Sequence, residues 1–220
     1  MPGSERQRLP HTTPTPSSHC ADYPHLYINL DRHEDRVKTF ETENQAAITT
    51  CNIQRLSAID GVREYEEPKP GELKRGEQGC IASHKKAWQH IVDSGAAFGV
   101  VMEDDAKLAE DYVGASDAIM AEAAEVCQQP LVYLDRTTWT DTSAEPKVSD
   151  HLHRVQEPSY GSHAYVISRE AAEHLGTRDV TEALDVFISN LVDSEEVCLL
   201  RTSSSLASVK TDSTSSTQEV

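Results

Sequence analysis

Phe98-Gly99-Val100-Val101-Met102-Glu103-Asp104-Asp105 is an apolar run closed by three consecutive carboxylates. A continuous apolar stretch of this kind reads as a strand buried on both faces, the type found in parallel sheets covered by helices. Upstream, Glu77–Asp93 carries Ile81, Ala87, Trp88, Ile91 and Val92 at helical spacing and stops at Gly95. Downstream, Asp111–Cys127 carries Ile119, Met120, Ala123 and Val126 along one side of a second helix. Further out, His25–Leu30, Ile53–Ile59, Leu131–Leu134, His163–Ile167 and Val197–Leu200 read as strands. Asp35–Gln45, Glu170–Leu175 and Glu182–Val192 read as helices, Asp60-Gly61 as a turn, and the polar stretch 62–76, with Pro68, Pro70 and Gly71, as a loop. This alternation predicts an α/β sandwich around a mostly parallel central sheet. Such sheets bind ligands beyond the carboxyl ends of their strands.

The chain has 220 residues, the size of one domain with arms. Lys and Arg number 20 against 37 Asp and Glu, a net charge of −17. That balance argues against a nucleic-acid partner, which needs clustered cations, and against an anionic membrane surface. No apolar run approaches the ~20 residues that cross a bilayer. Cys20, Cys51, Cys80, Cys127 and Cys198 are odd in number and widely spaced, and no Cys/His pairing at zinc spacing stands out. Reduced thiols acting as small hydrophobes are the simplest reading. With no secretory h-region in residues 1–22, the expected location is cytoplasmic. Residues 1–22, with four prolines among Ser and Thr, read as a disordered arm and 206–220 as a Ser/Thr-rich flexible tail, leaving 23–205 as the folded domain.

Four groups of residues carry chemistry. If the strand continues through the carboxylates, Glu103 and Asp105 share one face and Asp104 takes the other. Two carboxylates converging at a strand end make an oxygen-rich site for a divalent ion; the alternative is an acidic exit from the sheet in an acidic chain. In Gly76-Glu77-Gln78-Gly79-Cys80-Ile81-Ala82-Ser83-His84, Glu77 suits the positive end of a helix. His84 falls on the apolar face, either as a hydrogen-bonded core histidine or, with Ser83, beside a ligand. Asn29, Asp31, Arg32 and Arg36 follow the first strand. There an arginine reaches a phosphate, or Asp31 caps a helix and Arg36 makes a surface ion pair. Finally, His163 opens a late strand and Asp185 lies on an amphipathic helix, either solvated or aimed into the cleft.

Taken in order, the segments 27–32 with Asp35-Arg36, Ala58-Ile59-Asp60-Gly61, 73–84 with Trp88, 101–105, 163–169 and Leu184-Asp185 resemble glycosyltransferase family 25. That family holds bacterial lipooligosaccharide galactosyltransferases and the catalytic domains of procollagen galactosyltransferases. The resemblance covers residues of about 24 to 210 and implies a GT-A type, Rossmann-like fold and a nucleotide-sugar donor, commonly UDP-galactose. It also implies a divalent cation, Mn²⁺ or Mg²⁺. The EDD segment is similar to the DxD motif that holds metal and donor diphosphate, which implies Glu103 and Asp105 as metal ligands with Asp104 beside them. Asn29, Asp31, Arg32, Asp60 and Gly61 are implied on the donor side, with Ser83 and His84 facing the same cleft.

The implied reaction is an inverting, metal-dependent transfer of galactose to a hydroxyl on a glycan or a hydroxylated protein, as in lipopolysaccharide biosynthesis. Asp185 is the first choice for general base and His163 the second. The chain departs from the family at Thr181-Glu182-Ala183, where a proline is expected, and at Asp135-Arg136, where a glycine is common. The alternatives are a non-catalytic relative acting as a nucleotide-sugar-binding module and a metal-dependent phosphohydrolase. The second lacks any GxxxxGK[ST] or DxDx[TV] motif to support it.

Overall fold

The computed structural model describes residues 20–193 and 196–209. A 3₁₀ turn at Cys20–Asp22 leads into β1 (His25–Asn29), α1 (Glu34–Glu43), α2 (Gln45–Cys51), β2 (Gln54–Ser57), the short α3 (Gly61–Glu64) and the long α4 (Arg75–Ser94). Then come β3 (Phe98–Glu103), β4 (Ala106–Leu108), α5 (Tyr112–Val126), β5 (Pro130–Tyr133), β6 (Thr137–Thr138), β7 (Leu152–Arg154) and β8 (Ser159–Tyr160). β9 (Ala164–Ser168), α6 (Arg169–Gly176), α7 (Leu184–Asn190), a 3₁₀ turn at Leu191–Asp193, β10 (Cys198–Thr202) and β11 (Ala207–Val209) complete the described chain.

The central sheet has the order β2-β1-β3-β9-β5-β10-β7. β2, β1, β3, β5 and β10 run one way, while β9 and β7 run against them. This is the mostly parallel sheet of the expected α/β sandwich. The period of two along β3 sends successive side chains to opposite layers. Val100 and Met102 pack with Phe40, Ile119 and Met120, on the side of α1, α2 and α5. Val101 packs with Ile81, Trp88 and Ile91 of α4 and with Leu175 of α6. Trp88 and Ile91 are fully buried, each worth about 1.5–3 kcal/mol of removed apolar surface. Gly99 permits that approach of α4, because a Cβ there would lie 2.4 Å from Ile91 Cγ1.

Several boundaries differ from the sequence expectation. α1 stops at Asn44, and α2 occupies a stretch given no element. Asn44 closes the first helix by donating to Phe40 O (3.0 Å) and also bonds Ala106 O and Leu108 N (3.1 and 2.8 Å). The expected stop at Gly95 holds, with φ of 72°. Of the stretch 206–220 expected as a tail, Leu206 and Ala207 are buried, and β11 pairs with β4. Of the stretch 1–22 expected as an arm, Cys20 is buried. Residues 1–19 and 210–220 lie outside the described residues.

The reading of five reduced thiols is corrected. Cys20 is bonded to Cys51 and Cys127 to Cys198, leaving Cys80 as the free cysteine. The partners are 31 and 71 residues apart, so wide spacing concealed pairs that the fold brings together. No helix among the described residues is long and apolar enough to cross a membrane.

Candidate active site

From β1 the chain crosses to β2 on one side, and from β2 it passes back over β1 to β3 on the other. The carboxyl ends of β1 and β3 therefore flank a topological switch point, where a crevice opens in sheets of this kind. The cleft is found there. It is lined by Asn29 and Arg32 after β1, Asp60 and Gly61 after β2, Ser83 and His84 on α4, and Glu103 and Asp104 after β3. Eight of the residues singled out from the sequence thus converge on one surface. Cys80, which sequence reasoning passed over, lines it too.

The β2 side is built by close packing of α3 on α4. A Cβ on Gly61 would lie 1.8 Å from Arg75 O, and one on Gly79 2.7 Å from Gly61 N. Ser83 Oγ accepts from Ile59 N (2.8 Å) and donates to Gly79 O (2.6 Å). The SH pair therefore divides its work: Ser83 pins the loop that carries Asp60. Asp60 caps α3 by accepting from Val62 N (3.2 Å) and pairs with Arg32 across the cleft. Burial opposes ionisation of Asp60, but Arg32 and the Val62 N–H outweigh it and hold its pKa below the usual range.

The β1 end is held by Asn29, which is fully buried and donates to Asp104 Oδ2 (2.6 Å) while accepting from Arg55 Nε (2.9 Å). Asn29 thus positions Asp104. Asp31 is turned away from the cleft and is exposed, accepting from Ser57 Oγ (2.8 Å) and Arg55 (2.5 Å). It does not cap α1; the N-cap is His33.

The carboxylate triplet corrects a specific expectation. β3 ends at Glu103 and the chain turns at once, so alternation does not continue to Asp105. Glu103 faces α4. Asp104 and Asp105 both pair with Arg36 of α1, Asp105 at 3.3 Å. Glu103 thus faces α4 while Asp105 is engaged by Arg36, and the triplet does not form a three-ligand group among the described residues. Burial pushes the Asp104 carboxyl up to about 6, against the opposing pull of Arg36 and Asn29.

Glu103 is the centre of the α4 side. Its Oε1 accepts from Ser162 Oγ (3.2 Å) and lies 3.7 Å from His84 Nε2. Burial would raise its pKa, but His84, His163 and Ser162 outweigh it and hold the group below the carboxylate range. The His84 ring is fixed on its other side, where Nδ1 lies 2.8 Å from the Tyr165 hydroxyl, which also accepts from Trp88 Nε1 (2.8 Å). Cys80 stands one helical turn from His84, its thiol pushed well up by burial and by the charges of Glu103, Asp185 and Glu77.

The two residues expected to act as base sit beside this centre. Asp185, in the first turn of α7, accepts from Gly161 N (3.1 Å) and Ser162 N (2.9 Å) through Oδ1. It thereby anchors the loop whose Ser162 reaches Glu103. His163 Nε2 lies 3.3 Å from Asp135 Oδ2, and its carbonyl accepts from Glu103 N (2.8 Å). The departing pair Asp135-Arg136 is integrated: Asp135 also accepts from Ser205 (2.8 Å), and Arg136 pairs with buried Glu145, which Arg201 binds at 2.6 Å.

A cleft at the switch point of an α/β sheet, lined by Asp60, Glu103, Asp104 and Arg32, stands where folds of this class bind their ligands. The family model for glycosyltransferase family 25 (LPS biosynthesis protein) matches residues 23–188, and the chain belongs to that family. It is 33% identical over 127 residues to "Probable inactive glycosyltransferase 25 family member 3" of Bos taurus, covering 56% of this chain and 21% of that protein. It is 30% identical over 166 residues to procollagen galactosyltransferase 1 of Danio rerio, covering 67% and 27%. The chain thus spans about a quarter of the length of each of these relatives. Among solved structures, a glycosyltransferase involved in glycosylation of the major capsid of PBCV-1 aligns at 8% identity and a TM-score of 0.37, over 79% of this chain and 68% of that one.

Proposed function

We propose that the chain is the donor-binding unit of a glycosyltransferase that moves a hexosyl group, galactose in this reading, from a UDP-sugar to an acceptor hydroxyl with inversion. The observation that carries it is the convergence of Asn29, Arg32, Asp60, His84, Glu103 and Asp104 at the switch point of a chain in this family. In the reaction, the acceptor oxygen attacks the anomeric carbon, the bond from that carbon to the diphosphate breaks, and UDP leaves on the opposite face. Arg32 is the cation that lines the cleft and offsets the charge that the leaving diphosphate gains. Asp185 takes the acceptor proton, with His163 as the second choice.

The family resemblance implies Mn²⁺ or Mg²⁺ on Glu103 and Asp105. The arrangement of these side chains does not fit that pair, because Asp105 is engaged by Arg36 on the far side of β3. No step here runs through that ion. The same engagement favours a second reading, a module that binds the nucleotide sugar without turning it over. Two disulfides accord with an oxidising compartment rather than the cytoplasm. The acceptor is a glycan or a hydroxylated protein.

Titration calorimetry with UDP and UDP-galactose, followed by a UDP-release assay on sugar and hydroxylysine-peptide acceptors, tests both readings. Binding with release supports transfer, and binding without release on any acceptor supports the module. Failure of every UDP-sugar to bind overturns both.

A further inference from the structure

The free cysteine, one histidine and one carboxylate meet in the cleft in a way that the family resemblance does not call for. Cys80 and His84 are four residues apart on α4, which puts them on one face a single turn from each other. Glu103 ends β3 with its side chain on the layer that α4 covers. The Cys80 Sγ, a His84 ring nitrogen and a Glu103 carboxylate oxygen all lie within 4.8 Å of one another. In a tetrahedral zinc site, with bonds of about 2.0–2.3 Å, ligand atoms stand roughly 3.3–3.8 Å apart. Closing that gap takes a shift of about 1 Å between ligand atoms.

A second observation points to a ligand at this place. His84 is 1% exposed, and its Nε2 faces Glu103 Oε1 at 3.7 Å, beyond hydrogen-bond distance, with no other partner. A buried ring nitrogen in that state is costly, and a cation on it removes the cost. The opposite ring nitrogen is held by the Tyr165 hydroxyl, which Trp88 secures in turn. Fixing a ligating imidazole through its other nitrogen is how metal sites orient their histidines. Glu103 is likewise held by Ser162.

We infer that Cys80 Sγ, His84 Nε2 and a Glu103 oxygen form a three-ligand site for a zinc-class divalent ion, with its fourth position open to the cleft. A thiolate, an imidazole and a carboxylate suit Zn²⁺ or Co²⁺; Mg²⁺ and Mn²⁺ prefer all-oxygen sets. Binding releases the thiol proton to solvent and uses the His84 tautomer with its proton on Nδ1, which donates to the Tyr165 oxygen. The site stands on ligand geometry and not on the transfer reaction, so it is tested without donor or acceptor.

The full chain, with its disulfides intact, is stripped with chelator and then loaded with Zn²⁺ or Co²⁺. Metal content and thiolate-to-cobalt charge-transfer absorption are measured. One ion per chain with that absorption is expected. Cys80→Ser should abolish the absorption, and Glu103→Gln should weaken binding about 10–100-fold. Asp105→Asn should leave both unchanged, with circular dichroism confirming that each variant is folded. Absence of stoichiometric binding, a band that survives Cys80→Ser, or loss of the ion on Asp105→Asn overturns the site. Failure to bind zinc in a chain that still binds UDP-galactose overturns this site and leaves the donor reading intact.

Discussion

Asp185 offers two roles that substitution can separate. Its Oδ1 accepts two backbone N–H groups of the 161–162 loop, while its charge is what a general base requires. Asp185→Asn keeps an oxygen for both N–H groups and loses only the proton acceptor. Exchanging charge-assisted bonds for neutral ones costs about 1–2 kcal/mol, whereas Asp185→Ala strips both N–H groups and costs about 2–4 kcal/mol. If Asp185 is the base, Asn at this position lowers kcat by about 10²–10⁴-fold, with the affinity for UDP-galactose little changed. Urea melts give the stability of each variant, and initial rates of UDP release at saturating donor give kcat. The expected pattern is a large rate loss in both variants with a large stability loss in Ala alone. A kcat for Asp185→Asn within about threefold of wild type, beside a destabilised Asp185→Ala, would refute the base assignment. Asp185 would then be a loop anchor, and the assay would move to His163.

Two further outcomes follow from buried groups and cross-links. Burial pulls the His25 pKa down from 6.5 to about 4, its Nδ1 bond to Tyr23 O only partly opposing that shift. The neutral ring is therefore favoured in the folded state, and its contribution is present above pH 6.5 and lost as the pH falls toward 4, about 3 kcal/mol in all. Asp104, raised to about 6, acts in the opposite sense between 3.8 and 6, so the test is a difference. The stability of wild type minus that of His25→Asn, measured by urea titration, should fall by about that amount from pH 7 to pH 4, and a flat difference would sink the assignment. Removing residues 1–19 should leave the melting temperature unchanged, whereas removing residue 20 as well severs the tie to Cys51. The latter should cost on the order of 2–4 kcal/mol for a 31-residue span; equal melting temperatures for the two truncations would show that the cross-link does not stabilise the fold.

What was legible in the sequence has a common physical cause, and so does what was not. FGVVM announced a central strand because burial on both faces leaves a mark at every position. α4 did so through its period, and Gly95 ended it through a backbone conformation that glycine favours. The break at Asn44 was hidden because its side chain bonds partners 62 and 64 residues away. The disulfides were hidden for the same reason. The cleft was largely legible, since strand ends of one sheet must share an edge, and Asn29, Asp60 and Glu103 all follow strands. The directions of Asp31 and Asp105 were not, because each is set by an arginine on another element, Arg55 or Arg36. Cys80 carried a signal that was available: the spacing to His84 puts both on one helix face.

The end of β3 explains why three adjacent carboxylates coexist in a chain of net charge −17. Like charges side by side repel, and burial adds to the cost. The pleat and the turn after Glu103 divide the cost between two layers. On the α1 side, one guanidinium, Arg36, serves both Asp104 and Asp105. On the α4 side, Glu103 is met by the Ser162 hydroxyl and by the His84 ring at 3.7 Å, with no arginine or lysine bonded to it among the described residues. The two sides are therefore not equivalent before any ligand arrives. A cation entering at Asp104 and Asp105 must displace a guanidinium already in place, while one entering at Glu103 meets a carboxylate held below its usual pKa and an imidazole nitrogen without a hydrogen bond. The carboxylate of this cleft that no arginine holds among the described residues is therefore Glu103, on the α4 face beside the thiol.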